Sequence, residues 1–90
     1  MSTLHEDNLS DEVKDMHRAI ESLREELEAV DWYRQRAEAT SNKDLKKILL
    51  HNMKEEMEHA AMVLKWIKDN SPEFAEELNK IDEGFEELEE

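Results

Sequence analysis

The chain has 90 residues, with 25 acidic against 12 basic side chains and a formal net charge of −13. That balance argues against nucleic acid and against an anionic membrane surface, both of which select basic patches, and suits the attraction of cations. With no cysteine, one glycine, one proline and 41% charged residues, disulfides and thiolate chemistry are excluded and long solvent-exposed helices are favoured.

Residues 1–9 read as a disordered N-terminal segment, and residues 10–90 as one helical domain. Residues 1–10 are polar and lack the apolar core of a secretory signal, and no apolar run reaches transmembrane length. The expected compartment is therefore the cytoplasm. Ser10 is a suitable N-cap, with Asp11 and Glu12 in the first turn. The first helix is expected over about 11–39. Its apolar stripe is Val13, Met16, Ile20, Leu23, Leu27 and Val30, in steps of three and four. Thr40, Ser41 and Asn42 break it, and Ser41 with Asp44 resembles a capping box.

The second helix is expected over about 43–69. Asn70-Ser71-Pro72 ends it, and Ser71 as N-cap with Pro72 at the first position starts a third over about 72–83. Acidity is uneven along the chain. Residues 43–69 hold six Lys against five Asp/Glu, whereas residues 70–90 hold nine acids against Lys80. The fold class is thus all-α, an antiparallel two-helix hairpin plus a short C-terminal helix. Such a hairpin hides only part of its apolar surface, so a four-helix bundle completed by homodimerisation is expected.

Two residues are misplaced on the apolar face of the second helix. Glu56 and His59, three apart, project together among Leu45, Ile48, Leu49, Val63, Trp66 and Ile67. An acid and an imidazole in such a stripe are costly to bury without a partner. Helical phase supplies a third group. Glu26 lies about 60° from Leu23, at the edge of the first stripe, while Glu25 and Glu28 lie about 200° and 140° away.

Doubled by a two-fold axis, Glu26, Glu56 and His59 make four carboxylates and two histidines. That is the ligand set of ferritin-like di-iron carboxylate bundles. Hard carboxylates with one imidazole per metal suit iron or manganese. One rival is a structural oligomer whose buried polar layer fixes register. Another is a di-metal oxidase or peroxidase of the same architecture.

Several other groups read more blandly. His51 and Glu55 have a spacing that can bind zinc but read as surface groups, as do His5 and His17. Met53, Met57 and Met62 read as core filler. Trp32, beside Glu25 and Glu28, and a second apolar face of Leu50, Met57, Ala61 and Leu64 on the second helix point to a further subunit interface.

At Glu25-Glu26-Leu27-Glu28-Ala29-Val30-Asp31-Trp32-Tyr33 and at Glu55-Glu56-Met57-Glu58-His59-Ala60-Ala61-Met62 the chain resembles the encapsulated ferritins, over roughly residues 17–69. The resemblance implies a half-ferritin subunit and a ferroxidase, oxidising Fe(II) to Fe(III) at a di-iron centre shared between two subunits. It implies Glu26, Glu56 and His59 as ligands and Tyr33 as their neighbour. Glu25 and Glu28 match an outer entry site near Trp32, and Mn, Zn or Ca are further occupants of either site. The resemblance also implies an annular homo-oligomer, commonly a decamer, working inside an encapsulin nanocompartment that stores the mineral. Family cargo docks to its shell through an apolar, Gly-containing peptide. Glu86-Glu87-Leu88-Glu89-Glu90 is not of that kind, so the encapsulin shell protein is expected as a partner from kinship alone.

Overall fold

The computed structural model describes residues 8–84. The expectation of disorder over residues 1–9 therefore falls, for residues 1–7, outside the described residues, as does the acidic run from 85 to 90. All regular structure among the described residues is helical: α1 (Asp11–Ala39), α2 (Lys43–Asn70) and α3 (Pro72–Asp82).

Local chemistry sets each boundary. Ser10 has extended backbone and its Oγ accepts from the Val13 amide at 3.2 Å, satisfying one of the free donors of the first turn. At the other end the Thr40 amide donates to the Arg36 carbonyl at 3.1 Å. The cap of α2 corrects the sequence reading. Asn42, and not Ser41, is the N-cap, its Oδ1 accepting from the Leu45 amide at 2.9 Å. The Asn42 amide in turn donates to Thr40 Oγ1 at 3.1 Å, which fixes the side chain's approach. Asn caps as well as Ser, so the one closer to the first helical residue prevails. Ser71 Oγ accepts from the Phe74 amide at 3.2 Å, with Pro72 opening α3 at a position whose missing N–H costs nothing. The chain leaves α3 through Gly84, whose φ of 130° lies in the region glycine tolerates.

α1 and α2, joined by three residues, pack antiparallel. With 29 residues, α1 is about 43 Å long and sets the 49 Å long axis of the molecule. α3 packs on α2 alone and does not touch α1.

The core of this hairpin is thin: among the described residues only Ala37, Ala60 and Ile67 are buried. Two small residues let the helices approach, and Ile67 fills the space beside them. The other large apolar side chains stay half-covered or exposed, and they divide between the two sides of the hairpin. In an antiparallel pair, positions rotated in the same sense from the contact line fall on the same side. On one side Arg18, Ala19 and Ser22 of α1 meet Met62, Val63 and Trp66 of α2 around a shallow groove. Leu27, Ile20 and Val13 lie about 100°, 120° and 140° round from Glu26 in the opposite sense. They share the other side with Leu50, Met57 and Leu64, and all six are exposed.

Trp32 lies about 140° round from the buried Ala37, exposed on the outer surface of α1 with Glu25 and Glu28. A single chain thus presents two apolar sides with nothing over either.

Candidate metal centre

Glu26 on α1 and Glu56 and His59 on α2 converge on the groove side, near the middle of α2. Glu56 and His59 come together because residues three apart on a helix are neighbours. Glu26 meets them because its phase places it near the line where the helices touch. His59 Nδ1 lies 3.3 Å from Glu56 Oε1 and 3.7 Å from Glu26 Oε1. One donor atom from each of the three lies within 4.8 Å of the others. Their side chains are 27%, 25% and 45% exposed for Glu26, Glu56 and His59, so solvent and ions reach them in the single chain.

The two carboxyls compete for one proton. Glu26 donates a hydrogen bond to the Glu56 carboxylate, which holds its pKa above the ordinary 4.5. Partial burial and the charge of Glu56 push the same way, against the pull of His59. Glu56 is held below its ordinary value, first by accepting that bond and then by His59, with burial opposing. Like charges this close repel, and a cation between them would relieve that repulsion.

The donor set fits a hard or borderline divalent cation: two carboxylates and one imidazole, with open positions toward solvent. A cation there would take the place of a proton held between Glu26 and Glu56, whose hydrogen bond is the main cause of the raised Glu26 value.

The other residues singled out by the sequence are arranged differently. Glu25 and Glu28 are exposed on the outer surface of α1, lining an open cleft of about 410 Å³ with Glu21, Arg24 and Leu27. Within that cleft Glu21 is ion-paired to Arg24. Tyr33 is half-buried two turns beyond Glu26, about 10.5 Å along the axis. His51 and Glu55 are both exposed and 3.5 Å apart on α2, as surface groups would be.

One functional candidate escaped the sequence reading. The Arg36 guanidinium lies 5.7 Å from the centre of the Trp32 ring and 5.9 Å from that of Tyr33. The signal was available: an arginine three and four residues after adjacent aromatics faces both on a helix.

With the geometry in hand, comparison with known proteins is decisive. The EncFtn-like family signature matches residues 2–82. The chain belongs to the EncFtn-like family. Among its relatives, an encapsulated ferritin-like protein of Rhodospirillum rubrum is 53% identical over 70 residues, covering 78% of this chain and 50% of the relative. A ferritin-like protein of Thermotoga maritima is 52% identical over 65 residues, 72% of this chain and 57% of its own. An encapsulin nanocompartment cargo protein of Myxococcus xanthus is 38% identical over 64 residues, 71% and 49% of the two chains. This EncFtn-like chain spans about half the length of the curated relatives it matches. It also superposes on a crystal structure of a Nitrosomonas europaea protein with a TM-score of 0.83 and 57% identity, covering 88% of this chain and 89% of that one. The all-helical fold is thus shared by a solved relative over nearly the whole length.

Proposed function

We propose that this EncFtn-like chain is one half of a ferroxidase, with Fe(II) as substrate. The observation that carries the reading is the convergence of Glu26, Glu56 and His59 with donor atoms within 4.8 Å. Three ligands are too few to hold two iron ions. A second copy related by a two-fold axis would bring four carboxylates and two imidazoles together. The groove-side apolar residues beside the triad, Val63 and Trp66, would be covered by the same act. Assembly and site formation are then one event.

Each residue has a role its chemistry suits. Glu56, held ionised by its neighbours, offers the first anchor to an incoming cation. Glu26 contributes once its proton is displaced, and the freed proton passes to solvent. His59 binds through an imidazole nitrogen that carries no proton. Two Fe(II) ions bound side by side each give up one electron to O2 or peroxide and leave as Fe(III). The chain's excess of negative charge would raise the local concentration of the divalent substrate.

The names of the Rhodospirillum rubrum and Myxococcus xanthus relatives support a working place inside an encapsulin shell, with the protein as an annular homo-oligomer, a decamer on the family pattern. Among the described residues no helix is long and apolar enough to cross a membrane.

A second reading draws on the hydrogen bond between Glu26 and Glu56, which partly satisfies the triad without metal. On that reading the three residues are a polar layer fixing the register of a structural oligomer.

One experiment separates the readings: anaerobic Fe(II) titration followed by aeration, with native mass and Fe(III) absorbance recorded together. The ferroxidase reading expects about two iron ions per dimer by the doubled ligand set. It also expects loss of oxidation in Glu26→Ala, Glu56→Ala and His59→Ala. Wild-type-like oxidation in all three variants sinks it. Assembly that chelators leave untouched, with no iron uptake, supports the polar layer. Steady peroxide turnover with no iron deposited points instead to a di-metal peroxidase.

A further inference from the structure

Arg36 sits in the last turn of α1 with its guanidinium spread between the faces of two aromatic rings. Among the described residues it has no carboxylate partner, so its charge is directed at the rings. Trp32 lies on the edge that carries Glu25 and Glu28, and Tyr33 on the edge that carries Glu26. These are the oxidisable aromatics of α1.

We propose that Arg36 guards Trp32 against one-electron oxidation, keeping the electrons taken up by the oxidant those of Fe(II). The inference rests on the ferroxidase reading for its purpose. Its physics rests on the stacking alone.

Oxidation of the Trp32 ring removes one electron and leaves a radical cation. Tyr33 would lose its phenol proton to water as well and end neutral, so the repulsion acts on Trp32. The acceptor is a one-electron oxidant, such as those formed when peroxide meets Fe(II), and it is reduced by that electron. A fixed cation attracts the electron-rich face of the intact ring and repels the positive charge created on its oxidation. Arginine holds this charge at every accessible pH. At 5.7 to 5.9 Å, one unit charge acting through a water-like dielectric disfavours the oxidised ring by about threefold.

The molecule holds its own reference. Trp66 is 39% exposed against 48% for Trp32, and among the described residues it has no guanidinium over its ring. The experiment illuminates the full chain without iron in the presence of lumiflavin, a neutral photo-oxidant. The ratio of Trp32 to Trp66 oxidation is read by peptide mass spectrometry. Arg36→Gln is expected to raise that ratio about threefold, and Arg36→Lys to restore much of the protection. Helix content by circular dichroism checks that both variants fold. An unchanged ratio in Arg36→Gln overturns the proposal and leaves Arg36 as a helix-end cation.

A second arm cycles the protein with Fe(II) and O2. The guard expects Arg36→Gln to keep the initial rate of Fe(II) oxidation but to accumulate oxidised Trp32 faster than wild type. Equal accumulation overturns it. Wild type that oxidises no iron refutes the ferroxidase reading instead, and the lumiflavin ratio then decides the protective effect by itself.

Discussion

Glu26→Gln separates what the triad does for the fold from what it does for a metal. The amide is close in size to the protonated carboxyl, and its N–H can still donate to Glu56. In the metal-free chain at neutral pH the substitution removes one negative charge from a pair that repels. The variant should therefore fold at least as stably as wild type. Metal binding should respond in the opposite sense, because one of three charged or basic donors within 4.8 Å has become a poor ligand. A cation that binds only the folded form stabilises it by about 2.7 kcal/mol at one hundred times its dissociation constant. For a chain of this size that corresponds to a rise in melting temperature of roughly 10 to 20 °C. The assay is thermal unfolding by circular dichroism at one fixed protein concentration, with and without Mn(II), which avoids redox chemistry. Wild type should show the rise, and Glu26→Gln only a small part of it. An equal Mn(II)-induced rise in the variant would refute Glu26 as a ligand and with it the three-residue site.

Two further outcomes follow from the same structure. Because Glu26 is held protonated above its ordinary value of 4.5, a cation must displace that proton. The Mn(II)-induced stabilisation should therefore be full above the raised value and fall as pH drops through it, in a titration that Glu26→Gln flattens. The sign reverses for the metal-free fold: Glu26 contributes most below pH 4.5 and loses that contribution as pH rises through its raised value. Ile67 is the largest fully buried side chain, so Ile67→Ala should cost about 2 to 5 kcal/mol in urea unfolding; a loss below 1 kcal/mol would show that the hairpin contact is not where stability resides.

The fold class was legible because its signals were local. Ser10 and Ser71-Pro72 announce helix starts through side chains that cap within three residues, and the absence of glycine and proline leaves nothing to interrupt the helices between them. The start of α2 was less so. Ser41 and Asn42 are adjacent and chemically equivalent as caps, and only the hydrogen bond from the Leu45 amide to Asn42 Oδ1 shows which is used.

The triad was reachable from phase, since Glu26 could be placed on an edge by counting 100° per residue. What phase on one helix does not give is which edge of α1 joins which edge of α2. That depends on the sense of rotation in the antiparallel pair, which sets Val63 and Trp66 on the side of the triad and Leu50, Met57 and Leu64 on the other. Arg36 was missed for a different reason: a basic residue near a helix C-terminus already has an ordinary explanation in the helix dipole, so its contact with two rings went unsought.

The three-residue link between α1 and α2 has a kinetic consequence. Partners that meet in this hairpin are brought together by a short loop, and helical folds dominated by local contacts form in microseconds to milliseconds. Encounter between two finished hairpins is second order, so doubling the number of chains quadruples its rate. On the two-copy reading, the delay between synthesis and a working centre is then governed by how many chains a cell makes at once. A chain made singly would finish folding almost immediately and then wait, holding half a centre, for another to arrive.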